Sequence, residues 1–414
     1  MGSSTFIFLL EMCIGERMNY KFSYFLDGMK PSEIRELLKM ASTKGLISLG
    51  GGMPNPKTFP SEVLKSIMND LIETRSAQVF QYANTLGVQE TLDIIPGYLE
   101  KTQGIKCLPE NVILNSGSQQ GLYELGKVLA NPGDTIITEE PTYVGAISAF
   151  SANDLRMEGI EMDSMGMKTD LLEEKIKQLI KESRKPSFIY TIPTFQNPTG
   201  YTMPLDRRKH LIEISGSYDI PLIEDNPYGE LRYYGDNVPA MRSLKGGEDV
   251  LYLGTFSKVM TPGLRLGYTI APTEVIAKFN LIKQALDLAT NTFSQYVAYE
   301  YIKRGAIYKQ VALNIEMYRK KRDIMVNALE NEFNDGSVWS KPEGGMFVWL
   351  TVAQNVDTKQ MIGEAIKNGV AYISGQAFTT KGAQKRSMRL NFTYGDDDQL
   401  SEGIRRLGKT FVKK

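Results

Sequence analysis

Two side chains suited to covalent chemistry, Asp225 and Lys258, each stand just after a short apolar run of the sequence. Asp225 follows residues 220–224 (IPLIE), and Lys258 follows residues 250–253 (VLYL) after a Gly-Thr-Phe-Ser linker. A desolvated lysine near other cations has a lowered pKa and becomes nucleophilic. Taken singly, Asp225 is equally typical of a turn or a helix cap, and Lys258 of a solvated ammonium. Together at one sheet edge, with Arg265 seven residues after the lysine, they predict a lysine that forms a Schiff base.

Two further segments have the composition of ligand-binding turns. Residues 115–120 (NSGSQQ) join a predicted strand to a segment of helical period, so Gly117 permits a tight turn and the free N–H groups of the helix start can face a phosphate. Residues 197–200 (NPTG) follow the strand predicted at 187–192. Each segment also has an ordinary explanation, a strand-to-helix connection without a ligand and a Pro-Gly turn.

The composition argues against several other kinds of site. Lys and Arg together number 48, as do Asp and Glu, so no charge excess points to nucleic acid or to an anionic membrane surface. His210 is the single histidine, which removes Ser-His-Asp triads and His-rich metal centres. Cys13 and Cys107 are far apart, so we expect no disulfide framework, no metal site and a cytoplasmic location. The apolar residues 5–10 fall well short of the roughly 20 that a membrane span needs.

Short β-branched runs alternate along the chain with segments of helical period. The candidate strands lie at residues 111–115, 135–138, 187–192, 220–224, 250–253 and 266–270. This alternation is typical of a mostly parallel sheet covered by helices on both sides. Further on, residues 346–350 (MFVWL) and 388–392 (MRLNF) predict strands of a second, α+β unit, with which we expect the first 60 residues to pack.

Six motifs follow one another along the chain in an order that is more informative than any one of them. They are Gly117-Ser118-Gln119-Gln120, Pro141-Thr142-Tyr143, Asn197-Pro198-Thr199-Gly200, Asp225-Asn226-Pro227-Tyr228, Ser257-Lys258 with Arg265, and Met388-Arg389. From about residue 30 onward the chain resembles the fold-type I aminotransferases of class I and II, which depend on pyridoxal 5'-phosphate (PLP). Residues 47–60 (ISLGGGMPNPKTFP) and 81–87 (QYANTLG) resemble the branch that contains 2-aminoadipate, kynurenine and branched-chain or aromatic aminotransferases.

The resemblance implies a fold of the α/β class. Its large domain is expected to have three α/β/α layers around a mostly parallel, seven-stranded sheet, beside a smaller α+β domain. On this basis we predict an N-terminal segment at residues 1–60 that packs with the small domain, a PLP-binding large domain at 61–295 and a C-terminal small domain at 296–414.

The resemblance also implies roles at the cofactor. Lys258 corresponds to the lysine that forms the Schiff base and then moves the substrate's α-proton, and Asp225 to the acid that holds the proton of the pyridine nitrogen. Tyr228 and Asn197 correspond to residues that hydrogen-bond the phenolic oxygen, and Tyr143 to the ring stacked on the cofactor. The expected phosphate-binding residues are Ser118, Gln119, Thr255, Ser257 and Arg265.

Other matching residues concern the substrate and a second subunit. Arg389 corresponds to the arginine that binds the α-carboxylate through two parallel hydrogen bonds, and Asn197 also lies at the substrate. Gly52 and Arg35 resemble a mobile N-terminal segment, whose arginine can meet a side-chain carboxylate; Arg35 in a simple i,i+4 helix pair is the alternative. Tyr82 resembles the tyrosine that reaches the phosphate of the neighbouring subunit's cofactor, which implies a homodimer with shared active sites.

The expected function is therefore transfer of an amino group from an α-amino acid of the 2-aminoadipate, aromatic or branched-chain type to 2-oxoglutarate. A PLP-dependent β-lyase or decarboxylase is an alternative, since the same pocket serves other bond cleavages. A third possibility is the regulatory PLP domain of a transcription factor. We expect it least, because only about 30 residues precede the family-like region and they show no helix-turn-helix pattern.

Overall fold

The computed structural model describes residues 20–23, 26 and 45–412. The chain comprises two compact units, Met1–Lys30 and Pro31–Lys414, and all elements named below belong to the second. Arg35 lies outside the described residues, so its contact with a side-chain carboxylate stays a prediction.

The described residues form short strands and longer helices in alternation. The strands are β1 (Ile47–Ser48), β2 (Val112–Asn115), β3 (Thr135–Glu140), β4 (Arg156–Asp163), β5 (Gly166–Met167), β6 (Ile189–Thr191), β7 (Leu222–Asp225), β8 (Leu251–Thr255), β9 (Gly267–Ile270), β10 (Val338–Trp339), β11 (Phe347–Thr351), β12 (Val370–Ala371), β13 (Ile373–Ser374) and β14 (Ser387–Asn391). The α-helices are α1 (Ser61–Val79), α2 (Gln89–Gln103), α3 (Ser118–Leu129), α4 (Val144–Ser151), α5 (Thr169–Lys181), α6 (Leu205–Tyr218), α7 (Thr273–Leu286), α8 (Thr292–Lys303), α9 (Ala306–Glu332), α10 (Ile362–Lys367) and α11 (Asp397–Phe411). Within the part of the chain that the structure describes, no helix is long and apolar enough to cross a membrane.

A central sheet of eight strands has the order β2-β9-β8-β7-β6-β3-β4-β5. The pairs from β8 to β4 are parallel, whereas β9 pairs antiparallel with both β2 and β8, and β5 with β4. Alternate residues of β2 enter different hydrophobic clusters. Ile113 packs with residues of α3 and α4, while Val112 and Leu114 pack with residues of α1, α2 and α8. Because successive side chains of a strand point to opposite faces, helices cover both faces of the sheet.

The predicted α/β class and the mostly parallel sheet are confirmed, but the count of seven strands is wrong by one. The eighth strand, β5, is two residues long and returns along the end of β4. A tight turn makes this return possible, since Asp163 Oδ1 accepts a hydrogen bond from the backbone N–H of Met165 at 2.7 Å and Gly166 has a φ of +89°. β4 itself was absent from the candidate strands because its sequence, RMEGIEMD, is largely polar and only partly buried.

A second, four-stranded sheet has the order β10-β11-β14-β13 and is antiparallel throughout. Residues of α9 and α11, among them Tyr318 and Ile404, pack with β11 and β14 in one hydrophobic cluster. β1 pairs in parallel with β12, so residues 47–48 join the chain near its C-terminal end. The predicted domain boundaries at residues 60 and 295 stay predictions.

Candidate active site

The carboxyl ends of the parallel strands bring distant parts of the chain to one edge of the central sheet. β7 ends at Asp225, β8 ends at Thr255 shortly before Lys258, and β6 ends at Thr191 ahead of the loop that carries Asn197. This edge is where open α/β sheets usually bind ligands.

A cavity of about 280 Å³ lies at this edge. Its lining contains the sequence-predicted residues Gly52, Ser118, Gln119, Tyr143, Asn197, Asp225, Tyr228, Thr255, Ser257, Lys258, Arg265 and Arg389. The other lining residues are Met53, Ile192, Pro227 and Phe347.

Lys258 lies in this cavity with its amine close to the N-terminal part of the described chain. Its Nζ donates a hydrogen bond to the carbonyl oxygen of Gly52 at 3.1 Å. Desolvation, assisted by the positive charges of Arg389 and Arg265, lowers the pKa of Lys258 to about 8. A substantial fraction of this lysine is therefore neutral near physiological pH, as a nucleophilic amine requires.

Asp225 is 2% exposed and only half satisfied. Its Oδ2 accepts a hydrogen bond from the hydroxyl of Tyr190 at 2.8 Å, while its Oδ1 is buried without a partner among the described residues. Burial raises the pKa of Asp225 to about 7. A buried carboxylate oxygen left without a donor is costly, so this atom is suited to a cationic or N–H group of a ligand.

Asn197 connects the cofactor side of the cavity to Arg389. Its Oδ1 accepts a hydrogen bond from Nη1 of Arg389 at 2.9 Å, and its Nδ2 donates to the hydroxyl of Tyr228 at 3.4 Å. Desolvation by burial raises the pKa of Tyr228, so this phenol stays protonated. One amide thus fixes the relative positions of a phenol that follows β7 and a guanidinium on β14.

Arg389 is a fully buried arginine on β14 that is not saturated with acceptors. Its Nη2 donates to the carbonyl oxygen of Gly50 at 2.9 Å, and its Nε has no partner among the described residues. The guanidinium carbon lies 4.1 Å from the ring centre of Phe347 and 4.8 Å from that of Phe378. Burial lowers the pKa of Arg389 to about 10, which leaves it charged and ready to pair with an anion.

The guanidinium of Arg265 lies where α3 begins. Gly117 adopts a φ of +74°, and a Cβ at this position would lie 2.7 Å from Nη2 of Arg265, so only glycine lets the guanidinium come this close. Nη2 of Arg265 also donates to the carbonyl oxygen of Ser116 at 3.3 Å. Free N–H groups at the start of α3 together with a guanidinium form a suitable site for a phosphate.

Four more of the predicted residues belong to the cavity lining, namely Gln119, Tyr143, Thr255 and Ser257. Nε2 of Gln119 donates to the carbonyl oxygen of Gly145 at 2.8 Å, and Oε1 of Gln119 accepts from the hydroxyl of Tyr143 at 3.5 Å. The hydroxyls of Thr255 and Ser257 lie 3.0 Å apart. These contacts hold the polar groups in place around the start of α3.

Tyr82 is the one described residue of the predicted site that lies outside the cavity lining. It is 84% exposed, and nearby Phe80, which is 67% exposed, stacks on Phe293 with ring centres 6.0 Å apart. A tyrosine that contacts only a second subunit would be exposed in this way in a single chain.

Sequence reasoning missed the supports of the site. The hydroxyl of Tyr190 bonds Asp225, and the carbonyl of Gly50 bonds Arg389. Tyr190 sits within an apolar strand, where an aromatic residue is typical of core packing, so its type carries no signal of this contact. A backbone carbonyl has no signature in a sequence at all.

Comparisons with known proteins agree with this geometry. The signature of the family described as "Aminotransferase class I and II" matches residues 46–407. The chain belongs to the class I and II aminotransferases. Aromatic-amino-acid aminotransferase 1 of Thermococcus litoralis is 45% identical over 393 residues, which cover 95% of this chain and 94% of that protein. The 2-aminoadipate transaminase of Thermus thermophilus is 33% identical over 385 residues, 92% of this chain and 94% of that protein.

Solved structures give the same result for this aminotransferase. The kynurenine aminotransferase of Pyrococcus horikoshii, solved in complex with PMP, superposes with a TM-score of 0.91 at 43% identity, covering 95% of this chain and 98% of the other. The predictions of a fold-type I, PLP-dependent aminotransferase that acts on amino acids are confirmed. The relatives named here are aminotransferases, and their similarity to this chain supports amino-acid transamination.

The residues of the aminotransferase cavity fit PLP. The unpartnered Oδ1 of Asp225 can accept from a protonated ring nitrogen, and the cradle at Gly117 and Arg265 can take the phosphate. Lys258 offers an amine of lowered pKa between them. The cofactor assignment therefore agrees with polar groups that the protein alone leaves unsatisfied.

Proposed function

We propose that this aminotransferase takes aromatic and other apolar α-amino acids as donors and 2-oxoglutarate as acceptor. The observation that carries the proposal is the apolar part of the cavity lining, which consists of Phe347, beside Arg389, together with Met53 and Ile192 and offers surface to a substrate side chain. The described lining contains three cations, Lys258, Arg265 and Arg389, and each already has a proposed partner. The names of the relatives, aromatic-amino-acid and kynurenine aminotransferases, support the same class of donor.

We assign the chemistry at the cofactor to Lys258 and Asp225. When bound, PLP supplies an electron sink for the electron pair that the substrate's α-carbon keeps as its proton leaves. Lys258 would hold the cofactor through Nζ and, once displaced by the incoming amino group, take and return the α-proton. A pKa of about 8 suits both tasks, since a neutral amine is a nucleophile and a base. Asp225 would hold a proton on the ring nitrogen through its free Oδ1.

We assign substrate orientation to Arg389 and Asn197. The guanidinium of Arg389 would bind the α-carboxylate, and its fixed contacts to Asn197 and to the carbonyl of Gly50 hold it at one angle. Gly52 lies beside this group, since a Cβ at this position would be in van der Waals contact with Phe347 at 3.5 Å and with Nη2 of Arg389 at 3.8 Å. The α-carbon would thereby be held near the Lys258 amine, which moves its proton.

The acceptor needs a second cation, because 2-oxoglutarate carries two carboxylates. We propose Arg35 for this role, as the resemblance implies. An Arg35→Ala variant should then lose activity with 2-oxoglutarate or 2-aminoadipate and keep the half-reaction with an aromatic donor. A strong preference for a dicarboxylic donor that survives Arg35→Ala would contradict this role.

The donor class is tested by a panel of amino acids mixed with the PLP-loaded enzyme. Conversion of the bound cofactor to its pyridoxamine form is followed by absorbance, and the keto acid is identified by mass spectrometry. We expect the highest kcat/KM with phenylalanine, tyrosine or kynurenine, lower values with leucine, and re-formation of the aldehyde form on adding 2-oxoglutarate. Release of ammonia and pyruvate, or a donor preference for aspartate alone, would contradict the proposal.

We further propose a homodimer in which Tyr82 completes the phosphate site of the partner. Its 84% exposure, together with that of Phe80, supports this role, because large aromatic side chains grouped at a surface favour an interface. Tyr82→Phe, which removes only the hydroxyl, should weaken PLP binding about ten-fold, because one hydrogen bond to the phosphate is lost, and Tyr82→Ala should weaken it at least as much. Sedimentation of a fully active monomer, or unchanged PLP affinity in Tyr82→Ala, would contradict the shared site.

We also propose a cytoplasmic location. The support is chemical: Cys107 is a free thiol, and burial raises its pKa, which keeps it in the unreactive protonated form. Fractionation of the cells that make the protein would test this directly.

A further inference from the structure

The loop between β6 and α6, residues 193–203, carries Asn197 and is held at both ends by one buried arginine. Arg208 is fully buried. Its Nε donates to the carbonyl oxygen of Met203 at 2.9 Å, and its Nη2 donates to the carbonyl of Pro193 and the hydroxyl of Thr194, each at 2.9 Å. These contacts fix where the loop starts and ends but leave the orientation of Asn197, in its middle, to other groups.

The residue before Asn197 has a side chain whose hydrogen-bonding capacity is fully used. Nε2 of Gln196 donates to the carbonyl oxygen of Pro141 at 2.9 Å and to Oε2 of Glu139 at 3.0 Å. Its Oε1 accepts from the backbone N–H of Thr199 at 2.9 Å and from the hydroxyl of Thr199 at 2.7 Å. Because an amide has two donors on one side and one acceptor atom on the other, these four contacts permit one orientation only.

Glu139, at the carboxyl end of β3, is the charged group behind this arrangement. It is completely buried, and besides Gln196 it accepts hydrogen bonds at Oε1 from the backbone N–H of Ile192 at 3.2 Å and from the hydroxyl of Thr191. Both of its oxygens are thus satisfied. It does not belong to the cavity lining, so it has no direct route to cofactor or substrate.

We propose that Glu139 is a positioning residue that sets the orientation of Asn197 through Gln196. The inference rests on the proposed function, because Asn197 matters to the reaction only if it binds the cofactor's phenolic oxygen and orients Arg389. Asn197 directly follows Gln196 and contacts both Arg389 and Tyr228. A shift of the Gln196 amide therefore moves Asn197. Asn197 in turn changes its contacts with Tyr228, on the proposed cofactor side, and with Arg389, on the proposed substrate side.

Two substitutions break the arrangement without removing Asn197. In Glu139→Gln, the new NH₂ group must face either the N–H of Ile192 or the NH₂ of Gln196, so one donor points at another. In Gln196→Met, a chain of similar size replaces the amide, and Glu139 loses one donor. Asn197→Ala serves as the reference for complete loss of the Asn197 side-chain amide.

The readout is the pH midpoint of the visible absorbance band of each PLP-loaded variant. The hydrogen bond that Asn197 would donate to the cofactor's anionic phenolic oxygen favours the deprotonated form of the bound cofactor. Loss of this hydrogen bond therefore raises the pH midpoint of the band. We expect a rise of about 0.5–1 pH unit in Glu139→Gln and Gln196→Met, in the same direction as in Asn197→Ala. We also expect the KM for the amino donor to rise about three- to ten-fold, because Arg389 loses its fixed partner.

A matched control is Glu124→Gln. Glu124 is also completely buried and accepts a hydrogen bond from Nδ2 of Asn115 at 2.6 Å, but it lies on α3 and bonds Asn115 instead of the loop at residues 193–203. This variant is expected to keep the wild-type midpoint. A shift equal to that of Glu139→Gln would mean that any buried Glu→Gln change moves the band, and it would overturn the proposal.

The failures of the two claims are distinguishable. If Asn197→Ala shifts the midpoint and neither Glu139→Gln nor Gln196→Met does, the role of Glu139 is wrong while the proposed role of Asn197 stands. If Asn197→Ala itself leaves the midpoint unchanged, the proposed role of Asn197 is wrong and the inference fails with it. Should Glu139→Gln not fold, the Gln196→Met result decides.

Discussion

Asp225 and Glu139 are two buried carboxylates at the same edge of the central sheet, and they differ in how they are satisfied. Burial raises the pKa of each to about 7. Oδ1 of Asp225 has no partner among the described residues, whereas both oxygens of Glu139 accept hydrogen bonds. Buried polar atoms are nearly always paired, so the unpartnered oxygen of Asp225 indicates a place for a ligand. The fully hydrogen-bonded carboxylate of Glu139 indicates a support for the loop that carries Asn197. Burial and a raised pKa alone do not separate the two roles.

The largest effect expected from this comparison is that of Asp225→Asn. An amide carries no charge to stabilise a proton on the cofactor's ring nitrogen, so kcat/KM should fall about a thousand-fold while PLP stays bound. Glu139→Gln should lose no more than about ten-fold, because its effect passes through Gln196. Steady-state kinetics on both variants at saturating PLP make the measurement. An equal loss of kcat/KM in the two variants would contradict the distinction between a carboxylate that binds the cofactor and one that supports a loop.

A smaller effect is expected from Arg389→Lys, which keeps the charge and loses the paired hydrogen bonds. The KM for the amino donor should rise roughly 10- to 100-fold, since a hydrogen bond to a charged group is worth about 1.5–3 kcal/mol. The absorbance of the PLP-loaded variant without substrate should stay close to that of the wild type. A normal KM would show that the carboxylate is bound elsewhere.

Tyr190→Phe removes the one side-chain hydrogen bond that Asp225 accepts within the described part of the chain, and it should have a milder effect. Its hydroxyl donates to Oδ2 at 2.8 Å, and its loss disfavours the charged form of the carboxylate. We expect kcat to fall about three- to ten-fold with little change in KM. As a control, Tyr252→Phe removes a buried hydroxyl that contacts Asn226 instead of Asp225, and kcat should be unaffected.

The comparison also predicts how the stability of the apoprotein depends on pH. A carboxyl whose folded-state pKa of about 7 exceeds its unfolded value of about 4 favours the folded state when protonated, so stability should fall as pH rises from about 4 to about 7. Asp225→Asn and Glu139→Gln should each flatten this dependence, by roughly 1 kcal/mol per pH unit. Urea unfolding at pH 5 and pH 7 measures it. An apoprotein that gains stability over this range would contradict the raised pKa values.

The sequence predicted most of the residues that line the cavity and few of the contacts that hold them in place. Asp225 and Lys258 follow apolar runs, and such runs predict buried parallel strands well because both faces are covered. β4 was not predicted, because a partly exposed strand needs few apolar residues and gives no apolar run in the sequence. Glu139 and Gln196 were missed for a different reason: the hydrogen bonds that join them to each other, to Ile192 and to Pro141 span 53 to 57 residues of the chain, and no local pattern encodes such pairs.

Tyr82 marks a similar limit. The motif around it resembles a contact with a second subunit, but a single chain leaves the side chain exposed, and burial gives no indication of its partner. The residue is understood only in relation to another copy of the protein.

The central claim, that the cavity around Lys258 and Asp225 binds PLP and performs the transamination, is tested most directly by locating the covalent bond to the cofactor. The PLP-loaded protein is reduced with borohydride, digested and examined by peptide mass spectrometry. The phosphopyridoxyl group is expected on Lys258 alone, with no label in a parallel sample of Lys258→Ala. A label on a different lysine in the wild-type protein would contradict the account.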